Sequence, residues 1–288
     1  MMISFAVLLL CVLLTTGFGL VNANIVRIRR AELVLPDLPQ GFDGTSILYA
    51  SDIDLCGMNT PQKSGALFSQ LQSLKPDMLI LGGDYTSTSL IETLNRPDNA
   101  NVDLSKAQRE RESFFQFIST FEAPLGRFAI ASPEDPNWNS LQTQMEQNGI
   151  RPIFNDRTAI RSGEDTLWLV GICEESSALN SAGTAFERDD CVLTFAYSPI
   201  VLPILLTSEA SDGGAWSDLV LCGHTHGGQI RLFERSVLSL DRRESRYLCG
   251  WYTDSGVPIL VTQGVGCEGL NLRLGSAPEV WLLTLHRK

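Results

Sequence analysis

Asp218-Leu-Val-Leu-Cys-Gly-His-Thr-His-Gly-Gly-Gln-Ile-Arg-Leu-Phe233 decides how this chain is read. The stretch holds two of its three histidines, His224 and His226. Asp218 to Cys222 predicts a short buried strand running into a turn. Gly223, Gly227 and Gly228 let the backbone come close to whatever the histidines hold. Two imidazoles one residue apart at a strand end can face one site, and imidazole is a common ligand for divalent transition metals. A His-x-His pair alone reads equally well as two histidines in a Gly-rich surface turn. Carboxylates at other strand ends have to complete the site.

Two further runs supply them. Ser46-Ile-Leu-Tyr-Ala-Ser-Asp52-Ile-Asp54 and Asp77-Met-Leu-Ile-Leu-Gly-Gly-Asp84 are each apolar and then end in aspartate. In an open α/β sheet, ligands gather outside the carboxyl ends of the strands. The order of Asp-x-Asp, Gly-Gly-Asp and Gly-His-Thr-His-Gly-Gly-Gln resembles the calcineurin-like metallophosphoesterases, most of all their membrane-associated bacterial branch. The resemblance runs from about Arg29 to the C-terminus. It implies a two-sheet α/β sandwich flanked by helices, divalent metal, and phosphoester hydrolysis on a phosphorylated small molecule or a lipid-type phosphoester.

Carried over residue by residue, the resemblance gives the first metal Asp52, Asp54, Asp84 and His226 as ligands. Asp54 stands where the family has histidine. A carboxylate there makes the site harder and more negative, favouring Mn, Mg or ferrous iron over Zn. The second metal keeps Asp84 and His224. Its other two ligand positions fall on Pro133, which has no side-chain donor atom, and on Tyr197, a poor ligand at neutral pH. Glu134 replaces the family's catalytic His, so Glu134 and His224 form the implied catalytic set. The expectation is one tightly held ion and a second held weakly or not at all. Two readings stay open: a hydrolase with a rebuilt site, and an exported metal- or ligand-binding protein that has lost its chemistry.

The 288 residues read as one domain, 24–288, behind a leader, 1–23. Met1 to Ala23 carries no charged side chain, and Val21-Asn22-Ala23 fits a small-x-small cleavage pattern. The segment reads as an export signal or an uncleaved anchor, with Arg27, Arg29 and Arg30 following it. Either way the expected location is the cell envelope, with membrane association. A net charge of −11 argues against a nucleic-acid partner. No Cys-x-x-Cys occurs, which argues against a zinc ribbon or thioredoxin motif. Cys173 with Cys191 is a candidate loop-closing disulfide.

Strands are expected at 25–35, 46–51, 78–81, 127–131, 151–154, 159–161, 167–172, 191–196, 218–222, 247–253, 258–262 and 280–285. Helices are expected at 61–74, 104–121, 139–147 and 200–208, with a polar loop at 84–102. Alternating strands and helices followed by crowded strands suggest a βαβ core closed by a second, more antiparallel sheet. Gly264-Val-Gly266-Cys-Glu-Gly269 matches G-x-G-x-x-G. A dinucleotide site needs that turn to open a helix. A strand-like alternation follows instead, so these glycines are expected to shape a loop beside the metal site.

Overall fold

The computed structural model describes residues 2–88, 94, 104–175, 179, 182–232, 235–237 and 242–288. The polar loop expected over 84–102 lies mostly outside them. The helices are α1 (Met2–Asn22), α2 (Pro61–Leu71), α3 (Leu104–Ser119), α4 (Trp138–Gln147), α5 (Leu202–Leu205) and α6 (Arg242–Arg246). The strands are β1 (Arg27–Leu35), β2 (Ser46–Ala50), β3 (Met78–Leu81), β4 (Gly126–Ala129), β5 (Arg151–Pro152), β6 (Asp156–Ser162), β7 (Asp165–Ile172), β8 (Val192–Ala196), β9 (Leu219–Cys222), β10 (Arg231–Leu232), β11 (Arg235–Ser236), β12 (Gly250–Asp254), β13 (Val257–Val261) and β14 (Glu279–Arg287).

Two six-stranded sheets make an α/β sandwich with flanking helices. Their orders are β1-β14-β2-β3-β4-β5 and β12-β13-β9-β8-β7-β6. Residues of β2, β3, β8 and β9 are apolar almost without interruption because both faces are covered. On the helical side of the first sheet, α2 packs on α3 through Phe68 and Phe114, edge to face with centroids 5.6 Å apart. Thr60 caps α2 by accepting from the Lys63 N–H, and Pro61 sits in the first turn.

The second sheet departs from expectation. β13, β9, β8 and β7 run parallel to one another, and only the edge strands β12 and β6 pair antiparallel. The crowding of strands in the sequence therefore comes from two edge hairpins. That of β12 and β13 turns on Ser255 and Gly256, both at positive φ.

Cys173 and Cys191 are not bridged, and every cysteine is a free thiol. Trp168 pairs with Val192. That register sets Cys191 level with Leu167, six residues before Cys173, or about 20 Å along parallel strands. A disulfide cannot span that distance. The helix expected over 200–208 is a 3-10 turn followed by the single turn α5. The strand expected over 151–154 shrinks to β5, because Asn155 turns the chain with a φ of 51°.

Candidate metal centre

The carboxyl ends of β2, β3, β4, β8 and β9 converge, and their ends are laced together by main-chain bonds. Gly82 N–H donates to Ala50 O, Asp52 N–H to Gly83 O, and Asp54 N–H to Asp84 O. The glycine loop after β13 joins the two sheets: Val265 N–H donates to Ser51 O and Gly266 N–H to Asp52 O. Here the G-x-G-x-x-G match finds its physical reason. A Cβ on Gly264 would stand 2.5 Å from Asp52 Oδ2, and one on Gly266 2.3 Å from Ile53 O. The loop wraps the two aspartates and opens no helix.

Five residues at these turns are left-handed without being glycine: Asp52 (φ 53°), Asp54 (48°), Asp84 (53°), His224 (72°) and His226 (50°). Such backbone costs about 1 kcal/mol or more per residue and persists only where the surroundings impose it. All five are the residues that the sequence pointed to as metal ligands.

Asp52, Asp54 and Asp84 are all buried. Asp52 accepts from Ser51 Oγ at 2.7 Å and from the His224 N–H at 2.7 Å. Asp84 faces His224 Nδ1 at 3.2 Å and accepts from the Ser132 hydroxyl. Asp54 Oδ2 lies 3.6 Å from His226 Nε2 and has no hydrogen-bond partner. Burial and the neighbouring Asp84 push Asp52 up to about 7, and burial with the same neighbour raises Asp54 well above the carboxylate range. Burial pushes Asp84 up too, but the bond and charge of His224 outweigh it and hold the carboxyl low. Burial opposes charge on His224, yet the Asp84 bond and charge carry it up to about 10. Burial and then the Arg273 charge push His226 down to about 3.

Three participants escaped the sequence. Asp135 accepts from the N–H groups of Ser132, Asp84 and Tyr85, and so fixes the turn that presents Asp84. Glu244 enters from α6; its Oε1 accepts from Ser198 Oγ at 2.9 Å and lies 3.5 Å from His224 Nε2. Arg273 is wholly buried behind His226. No motif marks Glu244 or Arg273, since both act from elements far along the chain. Glu134 is exposed beside the cluster, and burial of its carboxyl with the charge of Asp84 raises its pKa. Pro133 is exposed, and Tyr197 packs its ring edge-on to His224 at 5.9 Å.

The donor set suits a hard divalent cation: buried carboxylates repel one another, and one carboxylate oxygen has no partner. Among the described residues, no group of three or more His, Cys, Asp or Glu side chains stands ready to hold a metal ion. The pairs Asp84 with His224 and Asp54 with His226 are what the fold assembles.

No family model matches the chain. The phosphodiesterase YaeI of Escherichia coli (strain K12) is 29% identical over 211 residues, covering 73% of this chain and 71% of that protein. A transmembrane protein with metallophosphoesterase domain from Danio rerio is 24% identical over 285 residues, covering 94% of this chain and 60% of that one. The uncharacterized metallophosphoesterase YkuE of Bacillus subtilis (strain 168) is 25% identical over 256 residues, covering 86% and 81%. The chain is thus similar to proteins named as a phosphodiesterase and as metallophosphoesterases. Among solved structures, a dimetal phosphatase from Danio rerio is similar with a TM-score of 0.43 and 10% identity, over 77% of this chain and 88% of that one.

Proposed function

We propose that this chain is a metal-dependent phosphoesterase whose cation is held by Asp52, Asp54, Asp84 and His226, with Asp84 shared toward His224. The observation that carries the reading is that three buried carboxylates, one with an unpartnered oxygen, stand on left-handed turns at neighbouring strand ends, where their charges act on one another. When bound, the ion supplies charge against the phosphoryl oxygens and lowers the pKa of a bound water. The oxygen-rich donors favour Mn, Mg or ferrous iron over Zn, with one ion held tightly. Pro133 offers the second position no donor atom, and Tyr197 only a phenol. The substrate is a phosphorylated small molecule or a lipid-type phosphoester.

The chain's own residues divide the remaining work. Glu134 holds its proton to higher pH than a free glutamate, as a leaving-group acid must. His224 stands between two carboxylates, with Nδ1 3.2 Å from Asp84 and Nε2 3.5 Å from Glu244. The deciding assay is turnover of aryl and alkyl phosphates with added manganese, for the unmodified chain, Glu134→Gln, and the triple change Pro133→Asn, Glu134→His, Tyr197→His. Turnover in the unmodified chain, raised by the triple change, supports the hydrolase. Silence of all three with the fold intact would favour the binding-protein reading.

We also propose that the protein is exported or anchored at a membrane, facing the cell envelope. Val7 to Leu14 of α1 expose their apolar side chains, while over the described residues no helix is long and apolar enough to cross a membrane. Asn22 Nδ2 donates to the carbonyls of Arg273 and Ser276, and Ala23 is buried. These contacts favour a retained anchor over a removed leader. N-terminal sequencing from the native host tests this: a soluble cytoplasmic chain still beginning at Met1 refutes export and anchoring together.

A further inference from the structure

Arg273 is held on every side. Its guanidinium donates to Gly266 O, to Gln263 O at 2.5 Å, to His226 O at 3.1 Å and to Ser276 Oγ at 3.1 Å. Its own N–H donates to Gly19 O, and its carbonyl accepts from Asn22 Nδ2, so the end of α1 pins its main chain. The remaining contact is from Nη2 to His226 Nδ1, at 3.2 Å. A guanidinium carries donors and no acceptor, so Nδ1 must be the accepting, unprotonated nitrogen. A neutral imidazole has one ring proton, which then sits on Nε2. Nε2 faces the unpartnered Asp54 Oδ2 at 3.6 Å. A protonated ring nitrogen has no lone pair in the ring plane to give to a metal. His224 is placed otherwise: both of its nitrogens face carboxylates, Asp84 and Glu244.

We propose that Arg273 fixes His226 in the Nε2–H form, so that His226 turns an N–H toward Asp54 and the cation is held by Asp52, Asp54 and Asp84 without it. The proposal rests on the metal reading above and changes its ligand set: a position that the family motif assigns to nitrogen is withdrawn, leaving oxygen alone on that side. Arg273 is thus a positioning residue, acting on the metal through the tautomer of His226. It also gives the family-type Gly-His-Thr-His stretch two histidines with different tasks.

The test uses the full chain with 15N-labelled histidine imidazoles. Long-range 1H–15N correlations are recorded before and after magnesium, with His226 assigned by its disappearance in His226→Gln. The expected spectrum has Nε2 protonated and Nδ1 bare in both states. In Arg273→Met, where that variant folds, Nδ1 gains proton occupancy. In parallel, magnesium binding is measured by calorimetry: His226→Gln weakens it less than tenfold, Asp54→Asn more than a hundredfold. A His226 Nε2 that loses its proton on adding magnesium overturns the proposal. So does a loss of affinity in His226→Gln equal to that in Asp54→Asn. If the unmodified chain binds no magnesium, manganese or ferrous iron, the metal reading itself falls, while the metal-free spectrum still decides whether Arg273 sets the tautomer.

Discussion

The two halves of the carboxylate cluster are built differently. Around Asp54 and His226 the site is closed: the His226 side chain is 7% exposed, Arg273 is wholly buried, and the glycine loop is packed against both aspartates. Around Asp84 and His224 it is open: the His224 side chain is 22% exposed, Glu134 is exposed while its carboxyl is part-buried, and Glu244 arrives on the short helix α6. The closed half has every group fixed by protein except one carboxylate oxygen, which suits holding an ion in place. The open half offers titratable groups that a substrate can reach. In the proposed function, binding and proton transfer are thereby separated across a few ångströms, with Asp84 as the shared member.

That division can be broken at its joint first. Asp84→Ala should weaken divalent-cation binding at least about 100-fold, more than loss of an outer-shell partner does, as read by calorimetry with manganese. In the open half, Glu134→Gln should slow alkyl phosphate turnover by about 10²–10⁴-fold while leaving activated aryl phosphates nearly untouched. Because burial and Asp84 raise the Glu134 pKa, its acid form persists to higher pH than that of a free glutamate. Alkyl turnover in the unmodified chain should therefore fall as pH climbs through that raised value, and Glu134→Gln should lack this limb.

The closed half should answer in stability. Arg273→Met removes donors from the buried carbonyls of Gly266, Gln263 and His226. The expected cost is about 1–3 kcal/mol for each carbonyl left unpaired, measured by urea unfolding. Tyr197→Phe is the mildest change. A phenol stays protonated near pH 7 with a pKa of about 10, so steady-state turnover should shift less than about twofold, and a large loss would make Tyr197 a working ligand.

Much of this was legible in the residues. Buried strands announce themselves as apolar runs, and Asp52, Asp84 and His224 sit at their ends as the α/β rule requires. Gly264 and Gly266 were readable as loop formers because no helix follows them. What escaped depends on contacts between distant segments. Glu244 meets His224 only because α6 packs on the 3-10 turn Pro199–Val201, and Arg273 meets His226 only because the loop before β14 turns under it. The parallel core of the second sheet was hidden for the same reason: strand direction is set by which strands pair, and a short apolar run looks the same in either sense. The disulfide failed on register, which cysteine spacing does not contain.

The most direct test of the account is the metal content of the purified, unmodified protein, by elemental analysis beside Asp84→Ala. The account predicts one equivalent of Mn, Mg or ferrous iron per chain, retained through dialysis in the unmodified protein and absent from the variant. Two tightly held equivalents would contradict the division between a closed binding half and an open chemical half. The absence of any divalent ion, with none taken up on titration, would contradict the metal centre itself.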